Sequence, residues 1–200
     1  MPQIFSKISS ADFQILVWKI EEPLTYFETF PATWSSPSVE NPTKKLESTA
    51  VRHCLQLLSP EFETLKLVQN DRNRPYFEGS DWHISLTHSY PYVAAACSRN
   101  KRIGIDLEKP GRNIEKIAPR FLHAREWEKW KSQSNLLTLA WSAKESIYKA
   151  VGKPGLSFQK EMEIINFNQN PCKAQVSTGE EIEIFWEEYK EFSLTVALIQ

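Results

Sequence analysis

Trp141-Ser142-Ala143-Lys144-Glu145-Ser146-Ile147-Tyr148-Lys149 and, upstream of it, Ile103-Gly104-Ile105-Asp106-Leu107-Glu108 decide how this chain is read. The first is a helix and the second a strand. On a helix Glu145 and Lys149 are one turn apart on one face, in the favourable order with the acid first. On a strand Asp106 and Glu108 leave the same side of the sheet, because side chains alternate with period two. If those faces meet, three carboxylates and an ammonium converge, and the mutual repulsion of the carboxylates calls for a divalent cation. An all-oxygen donor set points to Mg²⁺, which keeps several waters and binds through carboxylates and substrate phosphates. Taken singly the same residues have plainer readings. Asp106 and Glu108 are then exposed acids at a strand end, and Glu145 with Lys149 a surface pair.

Outward from these motifs, helical spacing of Leu136, Leu137, Leu139, Ala140, Ile147 and Ala150 predicts one long helix over Asn135 to Val151, stopped by Gly152. A shorter helix is expected over Ala124 to Trp130, and another from a cap at Asn113 towards Phe121, after the break at Lys109-Pro110-Gly111-Arg112. Trp141 reads as core packing. Beyond Gly152-Lys153-Pro154-Gly155, strand-like alternation marks Glu161 to Phe167, Cys172 to Ser177, Glu181 to Trp186 and Phe192 to Ile199.

Upstream, FQILVWKI (13 to 20) reads as the first strand, followed by a helix or turn around Glu21 to Phe30 and a proline- and serine-rich loop over Pro31 to Pro42. KKLESTAVRHCLQLL, Lys44 to Leu58, is a helix capped by Asn41 or Thr43. Its Lys44, Lys45 and Arg52 read either as a solvated face or as phosphate contacts, and Lys44 gains from the N–H groups of the first turn. A short strand near Leu65 to Val68 precedes a polar loop, Gln69 to Ser80, that holds Arg74-Pro75. Arg74 is a loop arginine or a bidentate phosphate clamp. Three strands follow, Trp82 to Thr87, Tyr92 to Ser98 and Arg102 to Glu108, and their short connections predict an antiparallel meander. His88, flanked by Thr87 and Ser89, is a turn residue bonding local backbone or a phosphate contact.

The 200 residues, 41% hydrophobic and 12% aromatic, suffice for a substantial core. A net charge of −1 provides no global field to recruit nucleic acid or an anionic membrane. Cys54, Cys97 and Cys172 are odd in number and lack a CxxC pair, so neither a disulfide framework nor a zinc site is expected. The first residues lack the pattern of a signal peptide, so a cytoplasmic protein is expected. The fold class is α+β in two halves, 1–101 and 102–200, the second carrying the acidic motifs.

The order Thr87-His88-Ser89, then G-I-D-x-E, then Arg120-Phe121-Leu122, then W-S-x-K-E-x-x-x-K resembles the 4′-phosphopantetheinyl transferase superfamily, in its larger single-chain type that activates peptide synthetases and fatty acid synthases. The resemblance implies two pseudo-twofold related α+β halves, each a mostly antiparallel sheet packed with helices, with coenzyme A and Mg²⁺ (or Mn²⁺) between them. It implies that Asp106, Glu108 and Glu145 surround the metal and that Glu145 and Lys149 are catalytic. It implies coenzyme A contacts from His88, Thr87, Arg74, Lys44, Lys45 and Arg52. An acyl or peptidyl carrier protein is then the partner and a monomer the default. Two departures are Arg74, which lacks a preceding glycine and stands where a lysine is usual, and Thr87, where a serine is common.

Two other readings compete. In a metal-dependent nuclease the glutamate and lysine stand i,i+2 on a strand, unlike Glu145 and Lys149. A non-catalytic coenzyme A- or carrier-binding protein would show a broken acidic set, whereas here it is intact.

Overall fold

The computed structural model describes residues 4–31, 33, 34, 39–70, 73–110 and 113–199. Parts of the loops expected over Pro31 to Pro42 and Gln69 to Ser80, the Gly111-Arg112 end of the break and the first three residues lie outside them. The fold is α+β, and every strand pairing among the described residues is antiparallel. The chain divides into two compact units, Met1–Lys101 and Arg102–Gln200.

In the first unit β1 (Ile4–Ser9) and β2 (Gln14–Lys19) lead to a single helical turn, α1 (Leu24–Phe27), and then to α2 (Pro42–Gln56). A small hairpin, β3 (Leu67–Gln69) and β4 (Pro75–Phe77), precedes β5 (His83–Ser89) and β6 (Tyr92–Ser98). The main sheet runs β1-β2-β6-β5. Helix α2 starts where its sequence can satisfy the first N–H groups: Asn41 Oδ1 accepts the Lys44 N–H at 3.0 Å, and Pro42 occupies the first turn. Its Ala50, Val51, Cys54 and Leu55 then meet Leu16, Trp18, Val93 and Ala95 of the sheet in one core.

The second unit opens with β7 (Arg102–Glu108) and a 3₁₀ turn over Ile114–Lys116. Helices α3 (Ala118–Phe121), α4 (Ala124–Trp130) and α5 (Ser134–Val151) follow, then one turn, α6 (Phe158–Glu161). The chain ends in β8 (Met162–Ile164), β9 (Cys172–Val176), β10 (Glu181–Glu188) and β11 (Ser193–Ile199), with sheet order β7-β11-β10-β9-β8. Gly152 at φ 68° ends α5 in the left-handed conformation that glycine adopts without a Cβ penalty.

Helix α5 lies on the side of β7 that carries Gly104, Asp106 and Glu108, and Gly104 explains how it comes so close. A Cβ there would stand 1.9 Å from the Ser146 carbonyl oxygen and 2.6 Å from the Ala150 nitrogen. Ala197 stands opposite Gly104 on β11, and Ala143 and Ala150 of α5 are fully buried. Small residues on both elements let the helix backbone approach the sheet.

Several expectations need correction. FQILVWKI forms the second strand rather than the first, because Ile4–Ser9 pairs along its outer edge. The expected meander does not form: both edges of β6 are taken, by β2 and β5, so β7 pairs instead with β11. The piece from Asn113 to Phe121 is a 3₁₀ turn and one α turn rather than one helix, and the Asn113 side chain caps neither. His88 and Ser89 lie inside β5, paired with Val93 and Tyr92, so the turn is narrower than the His-Ser-Tyr-Pro sequence suggests.

Candidate active site

In the second unit the alternation of β7 puts Asp106 and Glu108 on one side, and α5 answers with three residues at helical spacing, Trp141, Glu145 and Lys149. Lys149 Nζ donates to Asp106 Oδ1 at 2.8 Å and to the Ile105 carbonyl at 2.9 Å. Trp141 Nε1 donates to Glu108 Oε1 at 2.7 Å. Strand and helix therefore run past each other in opposite senses, and Glu145, partly buried, lies one turn from both contacts. Ser142 Oγ and Thr195 Oγ1, 2.9 Å apart and fully buried, fasten the same helix to β11, where Thr195 is the cross-strand partner of Asp106.

Trp141 does more than pack. Its ring lies 5.0 Å from Phe121 and 5.7 Å from Phe158, and its N–H holds a candidate metal ligand, a role that periodicity alone does not separate from core packing. Lys144, beside Glu145 in sequence, is 0% exposed and forms a 2.5 Å ion pair with Glu126, itself 1% exposed. Every strong group there is matched. Lys144 also donates to the Phe158 and Met162 carbonyls, while Glu126 accepts the N–H groups of His123 and Ile164. Burial draws the Lys144 proton affinity below its ordinary value, against the opposing pull of Glu126. Within the motif, then, Lys144 anchors the helix and Glu145 faces the acids.

In the first unit Lys44 and His88 meet at a residue that sequence reasoning missed. Glu47 is 2% exposed on α2, and its Oε2 lies 3.0 Å from Lys44 Nζ and 3.4 Å from His88 Nδ1. Its Oε1 accepts the Tyr90 N–H at 2.8 Å. Burial alone would raise its pKa, but the Lys44 bond, the His88 ring and the Tyr90 N–H together hold it below the ordinary value. The available signal was its i,i+3 spacing from Lys44.

The remaining candidates divide by exposure. Thr87 is buried within β5, and Lys45 is half-buried. Arg52 is not on a solvated face: it is 4% exposed, and its Nη1 turns back to the Ser48 carbonyl and hydroxyl, 2.7 Å from each. Arg74 stands at the entry to β4, its backbone N–H and carbonyl both tied to Asn70.

Among the described residues no three His, Cys, Asp or Glu side chains are gathered into a group able to hold a metal ion as they stand. The donor chemistry nevertheless suits a hard cation, since Asp106, Glu108 and Glu145 offer only oxygens from facing elements. No helix among the described residues is long and apolar enough to cross a membrane.

This arrangement of acidic strand and Trp–Glu–Lys helix falls within a recognised stretch: residues 102–197 match the family model of the 4′-phosphopantetheinyl transferase superfamily. That is a superfamily of transferase enzymes. The chain is similar to the 4′-phosphopantetheinyl transferase gsp of Aneurinibacillus migulanus, with 32% identity over 107 residues that cover 51% of this chain and 44% of that protein. It is also similar to the 4′-phosphopantetheinyl transferase HetI of Nostoc sp., with 27% identity over 188 residues, 82% of this chain and 79% of that protein. The match thus spans less than half the length of the first relative and about four-fifths of the second.

Proposed function

We propose that this protein transfers the 4′-phosphopantetheine arm of coenzyme A to a serine hydroxyl of an acyl or peptidyl carrier protein. The serine oxygen bonds to the phosphorus that carries the pantetheine, the pyrophosphate P–O bond breaks, and adenosine 3′,5′-bisphosphate leaves. The observation that carries this reading is the pairing of Asp106 and Glu108 on β7 with the Trp141–Glu145–Lys149 face of α5. It brings acids and a cation together where a phosphoryl transfer needs both.

Asp106, Glu108 and Glu145 are the residues that would hold Mg²⁺. When bound, the cation supplies charge neutralisation for the pyrophosphate. Lys149 offers an ammonium to the departing phosphate, and Glu145 is the base for the serine proton. Trp141 keeps the Glu108 carboxylate aimed at α5. On the first unit, Lys44 and His88 are the exposed members of the proposed coenzyme A set, with Lys45 and Arg74 partly exposed and Thr87 and Arg52 supporting from buried positions. The reading also takes the protein to be a cytoplasmic monomer that binds neither nucleic acid nor membrane.

The test is the intact mass of apo carrier proteins incubated with this protein, coenzyme A and Mg²⁺, beside Glu145→Gln. A phosphopantetheine mass gain with the natural chain and not with the variant supports the transferase and the role of Glu145. Coenzyme A binding without any gain across a broad carrier panel overturns it in favour of the binding protein.

A further inference from the structure

Glu47 is a buried carboxylate that neither the core nor the proposed reaction explains. Burying such a group is costly unless charges and donors surround it, and here Lys44, His88 and the Tyr90 N–H do so from α2, β5 and the β5–β6 turn. The arrangement has a directional consequence. A carboxylate 3.4 Å from Nδ1 of an imidazole attracts a proton carried on that nitrogen, favouring that tautomer and restraining the ring electrostatically. The two ring nitrogens point away from each other, so Nε2 is turned from the carboxylate. The same carboxylate restrains the ammonium of Lys44, which is exposed in the first turn of α2.

We propose that Glu47 is the positioning residue of the phosphate-binding group of the first unit: it sets His88 and Lys44 to receive a phosphate of coenzyme A without touching the phosphate itself. The inference rests on the reading of His88 as a phosphate contact. A glutamine at the same place would still accept the Tyr90 N–H but would lack the charge that holds the imidazole and the ammonium.

The experiment is a cycle of Glu47→Gln, His88→Ala and the double variant, reading coenzyme A affinity by calorimetry and turnover with an apo carrier. Glu47→Gln is expected to weaken coenzyme A binding about tenfold, the scale of one charge-assisted hydrogen bond. The loss should fall on KM rather than kcat, and it should shrink when Glu47→Gln is made in the His88→Ala background, leaving only the share that acts through Lys44. Wild-type affinity in Glu47→Gln, or an equal further loss in the double variant, overturns the proposal. Wild-type affinity in His88→Ala would instead remove the reading of His88 itself. Should Glu47→Gln fail to fold, ¹⁵N spectra of the natural protein decide. Proton occupancy at Nδ1 of His88 is expected, and a neutral ring protonated only at Nε2 overturns the positioning role.

Discussion

Lys149 and Asp106, 43 residues apart in sequence, are joined Nζ to Oδ1 at 2.8 Å. The lysine is bonded at the same time to the carbonyl of the preceding strand residue, Ile105. Its ammonium is thus held on the acidic strand by two acceptors. Lys149→Met removes that charge, and turnover is expected to fall about 100-fold, in line with the loss of a preorganised charge at a reacting phosphate. Coenzyme A affinity should change far less. Steady-state kinetics beside calorimetry read the two separately, and near-normal turnover would take Lys149 out of the reaction.

Trp141→Phe keeps a ring between Phe121 and Phe158 but deletes the 2.7 Å bond to Glu108. The expected stability loss is about 1 kcal/mol, one net hydrogen bond. The Mg²⁺ concentration needed for half-maximal transfer should rise, because Glu108 loses the indole donor that aims it. An unchanged Mg²⁺ requirement would assign the indole N–H to stability alone.

Lys144→Met leaves Glu126 without its counter-ion in the core of the second unit. Breaking a buried pair from one side costs about 3–5 kcal/mol, and urea denaturation should show a loss of that order. Adding Glu126→Gln should recover part of it, since the amide can still accept from His123 and Ile164. If the single variant is as stable as the natural protein, the pair does not hold α5.

Gly104→Ala places a methyl group within 1.9 Å of the Ser146 carbonyl oxygen, on a stretch of backbone that cannot yield locally. Helix α5 must then lift from β7. We expect about 1–3 kcal/mol of destabilisation and a loss of transfer larger than that from Trp141→Phe, because all of the α5 contacts to the acids shift together. The same denaturation and mass assays check both.

Acid should weaken the first unit in two stages. Burial, partly opposed by Glu22, holds the His53 ring below its ordinary 6.5. The unfolded chain therefore takes up a proton as pH drops through 6.5 while the folded chain does not, and stability falls from there to the folded value. Glu47, held below its ordinary 4.5, contributes stability that is complete above 4.5 and disappears as pH falls through its folded value. In both windows the unfolded state binds more protons, so stability rises with pH. Urea midpoints between pH 7.5 and 3 should fall in both, and His53→Gln should flatten the upper stage. A midpoint that climbs on acidification would contradict both assignments.

Elements governed by local pattern were legible in the sequence. β6, β7 and α4 match their expected bounds, and α5 begins one residue early, because alternation, helical spacing and glycine stops act within a few residues. Strand β1 was not, since Ile4–Ser9 is an edge strand whose identity comes from its register against β2. The partner of β7 was hidden for the same reason. That Asp106 and Glu108 share one side of β7, and that Glu145 and Lys149 share one face of α5, was readable from motif spacing. The burial of Glu47, Arg52, Lys144 and Glu126 was not, because a charged residue goes inside only when distant segments bring it partners, and no local pattern records them.

Helix α5 is keyed by its phase. Each residue turns about 100° from the last, so Lys144 and Glu145, adjacent in the chain, face a sealed interior and an acidic strand respectively. A single residue inserted between Glu145 and Lys149 would rotate Lys149 away from Asp106 while leaving the composition of the motif intact. Seven residues added before Trp141 would lengthen the helix by two near-complete turns and disturb that angle little. In this protein angular register along one helix, and not the mere presence of the right side chains, decides which residues are brought to face Asp106 and Glu108.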